Sequence, residues 1–85
     1  LLYSNQLTAT EINWINQNEP SLPLQCHAKV RYRQQDQACL LISYKSGYQV
    51  TFEETQRSVT PGQFIVFYQG DVCLGGGVIA TSRMV

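Results

Sequence analysis

Short runs in which apolar and polar residues alternate recur along the whole chain, and turn-forming residues separate them at close intervals. In the clearest run, apolar residues alternate with polar or basic ones: Leu24, Cys26, Ala28, Val30 and Tyr32 against Gln25, His27, Lys29, Arg31 and Arg33. Successive side chains of a strand point to opposite faces, so this run predicts a strand with one packed face and one basic face. Helix signals are scarce, because β-branched and aromatic residues dominate the runs. The pattern predicts an all-β fold.

Further strands are predicted at 7–15, 38–44, 48–54, 64–68 and 72–79, with a loop over 16–23 and a polar turn over 34–37. The strands on either side of Lys45, Ser46 and Gly47 give the strongest hairpin signal. A second tight hairpin is predicted around Gln69, Gly70 and Asp71.

Two glycine-containing segments carry more specific expectations. The sequence Thr60-Pro61-Gly62-Gln63 has the chemistry of a type II turn, because proline fixes φ and glycine permits a positive φ. Gly75, Gly76 and Gly77 lie inside a predicted strand, where glycine suggests a bulge or a close backbone approach. A phosphate-binding loop is the less favoured interpretation of these glycines, because no Lys followed by Ser or Thr comes after them.

About six short strands joined by hairpins, with no helix, favour a small antiparallel barrel, since closure removes exposed strand edges. A two-sheet sandwich is the alternative. The 85 residues suffice for a single core, and 44% apolar against 14% charged residues predicts a folded domain.

The termini and the apolar runs suggest where the chain comes from. The only methionine is Met84 and the chain starts at Leu1, so we expect a fragment, 1–85, of a larger protein. No apolar run approaches the roughly 20 residues of a membrane span and no signal peptide is visible, so a cytoplasmic location without membrane contact is expected.

No residue set makes a convincing catalytic or metal site. His27 and Cys26 are adjacent on a strand and therefore point to opposite faces, as do Glu53 and Glu54, which we expect to be solvated. Zinc requires about four ligands, and the three cysteines, Cys26, Cys39 and Cys73, contain no closely spaced pair. We expect all three to be reduced, buried structural thiols.

The one electrostatic feature is the predicted strand face that carries Lys29, Arg31 and Arg33. It places three of the six cations within about 13 Å, although the net charge is zero. Phosphate contact is the functional interpretation, and an ordinary solvated strand face is the alternative.

Five segments together resemble the C-terminal domain of the bacterial tRNA-specific 2-thiouridylases (tRNA-uridine 2-sulfurtransferases). They are Ile12-Asn13-Trp14, the run from Ala28 to Gln34, the run from Val59 to Gln63, Val66-Phe67-Tyr68 and the run from Asp71 to Ile79. The resemblance follows the same order across almost the whole chain.

This resemblance implies a six-stranded barrel similar to a translation-factor barrel, at the end of an ATP-dependent transferase. The implied enzyme adenylates the wobble uridine of certain tRNAs and installs sulfur at C2 from a persulfide donor of a sulfur relay. Its nucleotide loop, of the type Ser-Gly-Gly-Val-Asp-Ser, is absent here, and its catalytic cysteines belong to earlier domains. We therefore expect no catalytic residue, metal or cofactor in this chain, with ATP and Mg²⁺ bound by the absent nucleotide-binding domain.

The resemblance also implies the partners and the contact residues. The barrel would pack beside the catalytic domains of the same polypeptide and help to bind the tRNA anticodon arm. Arg31 and Tyr32 match positions where the family motif contacts tRNA, and Gln63 matches the glutamine after the Thr-Pro-Gly turn, which does the same. Alternation, however, places Tyr32 on the packed face of its strand.

Two alternatives from other functional classes are weighed against this interpretation. One is a non-enzymatic RNA- or protein-binding barrel of another RNA-modification or translation factor. The other is a small redox or metal protein, which rests only on the scattered cysteines.

Overall fold

Six strands make up most of the chain in the computed structural model, which describes residues 3–31 and 34–85. The strands are β1 (Tyr3–Trp14), β2 (Leu24–Lys29), β3 (Gln37–Tyr44), β4 (Gly47–Arg57), β5 (Phe64–Gln69) and β6 (Val72–Arg83). A 3₁₀ turn, Ile15–Gln17, follows β1. None of the helical structure within the described residues could span a membrane. The all-β prediction is confirmed.

The strands close into a barrel in the order β1-β4-β3-β2-β5-β6, with β1 pairing with β6 to complete the ring. Every pair of neighbouring strands is antiparallel. Closure satisfies the backbone groups that an edge strand would expose. The predicted six-stranded antiparallel barrel is confirmed, and the two-sheet sandwich is not formed.

The barrel interior is filled by the apolar side chains that alternate along each strand. Among the described residues, the largest fully buried side chains are Phe67, Leu7, Leu41, Ile65, Ile79 and Val50. In β2 the predicted alternation holds, since Cys26 and Ala28 are buried whereas Gln25 and His27 are exposed. Packing of these inward rows supplies most of the apolar burial that stabilises the fold.

Several strand ends differ from the prediction. β1 begins at Tyr3 rather than at residue 7, and β4 continues to Arg57 rather than ending at residue 54. The physical reason is that polar residues occupy inward positions near these ends, where Ser4 and Gln56 are buried. A polar residue at an inward position interrupts the apolar period, so the pattern alone ends the strand too early.

Both predicted hairpin turns and the predicted Thr60–Gln63 turn are present, whereas Gln37, predicted as part of a polar turn, begins β3. Tyr44 pairs with Gly47 across Lys45 and Ser46, and Gln69 pairs with Val72 across a turn in which Gly70 has a φ of 59°. In the Thr60–Gln63 turn, the Gln63 amide donates to the Thr60 carbonyl at 3.3 Å and Gly62 has a φ of 92°. This is the geometry of a type II turn.

Candidate functional site

A groove of about 640 Å³ runs along the outside of the barrel between the end of β2 and the outer face of β5. Its lining combines cations with apolar side chains: Lys29, Val30, Arg31, Gln63, Phe64, Val66 and Tyr68. Two of the three residues predicted to contact tRNA, Arg31 and Gln63, therefore lie in the same groove. The third, Tyr32, lies outside the described residues, as does Arg33.

Arg31 lies two residues beyond the end of β2, so the predicted basic strand face is shorter than expected. Its guanidinium donates from Nη2 to the carbonyls of Arg57 and Ser58, at 2.8 and 3.1 Å. These bonds fix the head group against the end of β4. Because guanidinium carries five N–H donors and stays charged, the group keeps donors for a phosphate after both bonds are made.

Gln63 is held by the turn that precedes β5. Its side-chain Oε1 accepts a hydrogen bond from the Thr60 amide at 3.1 Å, and its backbone carbonyl accepts one from the Ile79 amide at 2.8 Å. The side-chain oxygen is therefore used within the turn, which leaves the two N–H donors of the amide for a ligand acceptor.

A network of glutamines ties the segment after β2 to β4. The Gln34 amide donates from Nε2 to Oε1 of the buried Gln56 at 2.9 Å, and the Val30 amide donates to Oε1 of Gln34 at 3.2 Å. The side chain of Gln56 also donates to the Glu54 carbonyl at 3.0 Å. The Val30 backbone, which precedes Arg31, is thus linked to β4 through Gln34. No pattern in the sequence signals this network, because glutamine is common in exposed loops.

Aromatic residues of β5 form the other wall of the groove. The Lys29 ammonium lies 5.6 Å from the centre of the Tyr68 ring, a cation–π contact. Phe64 is 72% exposed, although it begins a strand whose next residue, Ile65, is fully buried. Neither aromatic residue was predicted to belong to the site. The sequence feature that could have indicated them is that β5 is apolar on both of its faces.

At the other end of the barrel, a hydrogen-bonded chain joins three side chains that the sequence pattern did not connect. Trp14 Nε1 donates to Tyr48 Oη at 3.1 Å, and the Tyr48 hydroxyl donates to the Glu19 carboxylate. Burial and the bond to Glu19 raise the pKa of Tyr48, so the phenol stays protonated at neutral pH. These contacts fasten the loop after β1 to the barrel.

The cysteines only partly match their prediction. Cys26 and Cys39 are buried and face each other across β2 and β3, with their Sγ atoms 3.8 Å apart. The hydrogen bond with Cys26, together with burial, holds the pKa of Cys39 well above its usual range, which keeps this thiol protonated. Cys73 is exposed, and its prediction as a buried thiol is wrong. Cys73 lies next to the β5–β6 turn, where the first two residues of β6 are exposed although the apolar pattern includes them.

Thiol labelling should reproduce this division. We expect a maleimide to modify one cysteine per native chain, Cys73, and all three in urea, because only Cys73 is exposed. Mass spectrometry of intact protein before and after unfolding gives both counts. Replacing Cys73 with serine should abolish the native reaction, and persistent native labelling of that variant would show that Cys26 or Cys39 is accessible.

The groove offers charged, amide and aromatic groups that can bind a ligand. Among residues 3–31 and 34–85, no three His, Cys, Asp or Glu side chains converge as metal ligands would. His27 is exposed and Cys26 buried, so they form no dyad. Gly75, Gly76 and Gly77 lie within β6, so they form a strand rather than a phosphate loop. What remains is a groove with two cations, an amide and aromatic faces.

Comparison with known proteins agrees with this architecture. Residues 4–79 match the family described as the aminomethyltransferase β-barrel domain. The chain is 58% identical over 82 residues to the tRNA-specific 2-thiouridylase MnmA of Pseudomonas fluorescens (strain Pf0-1). The aligned residues make up 96% of this chain and 22% of the relative. It is 59% identical over 78 residues to the protein of that name from Stutzerimonas stutzeri (strain A1501), covering 92% and 21%.

The chain thus spans about a fifth of the length of the relatives that it matches. The resemblance drawn from its five sequence segments is confirmed by these matches. The chain belongs to the aminomethyltransferase β-barrel domain family, and its relatives there are tRNA-specific 2-thiouridylases.

Proposed function

We propose that this barrel is the tRNA-binding domain of an ATP-dependent tRNA 2-thiouridylase that works in the cytoplasm. The observation that carries the proposal is that Arg31 and Gln63, which are 32 positions apart in the sequence, line one groove. A cation and a fixed amide donor on one surface suit a phosphate and a neighbouring polar group of RNA.

The sulfur transfer itself is assigned to the remainder of the full-length protein. There, ATP with Mg²⁺ would activate C2 of the wobble uridine and a persulfide donor would supply the sulfur. The glycine run does not fit an ATP phosphate loop, because it lies within β6, where Gly75 and Gly77 pack against β1 and Gly76 packs against β5. The barrel contributes affinity and orientation for the anticodon arm, next to the catalytic domains of the same polypeptide.

Because Arg31 is charged and Gln63 is neutral, their replacement should change the salt dependence of tRNA binding differently. In the full-length protein, Arg31→Ala should weaken tRNA binding about tenfold and reduce the slope of log K against log salt by about one unit, because one phosphate contact no longer releases a counterion. Gln63→Ala should cost on the order of 1 kcal/mol with the slope nearly unchanged, since a neutral amide displaces no counterion.

Binding isotherms at several salt concentrations test both variants. Arg83→Ala is the matched control, because Arg83 is also an exposed cation but lies in a different groove, where it binds Gln6. Arg31→Lys should keep the salt slope while losing the bonds that fix the guanidinium. If Arg31→Ala and Gln63→Ala both bind tRNA like the unaltered protein, the barrel is only a structural support.

A further inference from the structure

The outward row of β5 is apolar, although it faces solvent. Phe64, Val66 and Tyr68 alternate along this row, whereas Ile65 and Phe67 point into the core with no exposed surface. A strand that is apolar on both faces is typical of a strand that is covered on both faces. The outer row is therefore a surface that a ligand or another macromolecule is expected to cover.

The charges around this row indicate the chemistry of its partner. On one side the row borders Lys29 and Arg31, in a groove whose described lining holds no carboxylate. On the other side Phe64 and Val66 line a second groove, which contains Glu11. Phe64 lies in the same groove as the Arg31 guanidinium and is 72% exposed. A flat apolar ring beside a cation is complementary to a nucleotide, which pairs an aromatic base with a phosphate.

We propose that Phe64 is a base-stacking residue that holds an unpaired nucleotide of the bound RNA, with the adjoining phosphate at Arg31. This inference rests on the proposed tRNA-binding function and adds a residue to it. The turn that fixes Gln63 also fixes the start of β5, so the Phe64 ring is presented from a rigid element. Stacking on a preformed ring costs little conformational entropy on binding.

Substitutions of Phe64 in the full-length protein separate stacking from simple apolar contact. Phe64→Ala should weaken tRNA binding roughly five- to hundredfold, the range for loss of one stacked base, with the salt slope unchanged. Phe64→Trp should bind at least as tightly as the unaltered protein, because indole also offers a flat aromatic face. Phe64→Leu should behave like alanine, since it keeps the bulk but lacks that face.

Val72→Ala serves as the matched control, because Val72 is 63% exposed and lies at the far end of the β5–β6 hairpin. It should leave the affinity unchanged. The melting temperature without tRNA should also be unchanged in Phe64→Ala. If the melting temperature of Phe64→Ala without tRNA falls by several degrees, another domain covers the ring and the proposal is overturned.

The variants distinguish a failure of the stacking assignment from a failure of the proposed tRNA-binding function. If Arg31→Ala weakens binding while Phe64→Ala does not, the barrel binds tRNA but the stacking assignment is wrong. Equal affinities of Phe64→Leu and the unaltered protein would likewise overturn stacking. If neither Arg31→Ala nor Phe64→Ala changes the affinity, the proposed function fails and this inference fails with it.

Discussion

Replacing Phe67 with alanine should lower the free energy of unfolding of this domain by about 3–5 kcal/mol. Phe67 has no exposed surface, is the largest fully buried side chain among the described residues, and packs against Trp14 with ring centres 5.9 Å apart. Its loss leaves a cavity between the other buried side chains, such as Ile65 and Ile79, which can fill it only in part. Because a domain of this size is stable by only about 4–13 kcal/mol, the change removes a large share of the total.

Urea unfolding of the chain measures this effect, and the midpoint should fall by at least about 1 M. Phe64→Ala is the matched control, because it removes the same atoms three residues earlier on the same strand from a mainly exposed position. That variant should change the stability by no more than about 0.5 kcal/mol. Similar losses for the two variants would contradict the assignment of inward and outward faces in β5.

A comparison of β2 with β5 shows when the residue pattern can identify the buried face of a strand. In β2 the polar residues mark the outer face, so the buried Cys26 and Ala28 were predicted correctly. In β5 every residue from Phe64 to Tyr68 is apolar or aromatic, and no period of two distinguishes its faces. The pairing with β2 and β6 decides which residues point inward, and that pairing is not local information.

The turns were the most predictable elements, because their chemistry is contained in a few neighbouring residues. Thr60-Pro61-Gly62-Gln63 forms the expected type II turn, and both expected hairpins are present. Strand ends were less predictable. Gln56 is buried near the end of β4 only because Gln34 and the Glu54 carbonyl satisfy its amide, a circumstance that no short sequence pattern contains.

The sequence predicted two members of the candidate site, Arg31 and Gln63, but not its aromatic members. Arg31 and Gln63 were selected by their positions in a family motif, and both line this groove, whereas their contact with tRNA stays a prediction. The aromatic wall had no such motif. Phe64 joins the site because β2 and β5 are neighbours in the closed ring, which depends on the order of all the strands.

The second large effect is expected at Gly75, where Gly75→Ala should cost about 3 kcal/mol or more. An added Cβ would lie 2.4 Å from the Asn13 carbonyl oxygen and 2.9 Å from the Trp14 Cα. Both are backbone atoms of β1, so the contact is relieved only if β1 and β6 move apart. These two strands close the barrel, and their separation would expose an edge on each of them.

Gly75 has a φ of 154°, and Gly70→Ala is the control for a glycine of positive φ whose added Cβ makes no such contact. Gly70 also has a positive φ, of 59°, but nothing lies within 4 Å of an added Cβ, so its substitution should cost only about 1 kcal/mol. Hydrogen exchange should show the Gly75→Ala effect as faster opening along the β1–β6 seam, beginning near Asn13 and Trp14. If the two glycine variants lose equal stability and exchange alike, β1 does not pack on β6 as closely as these distances require.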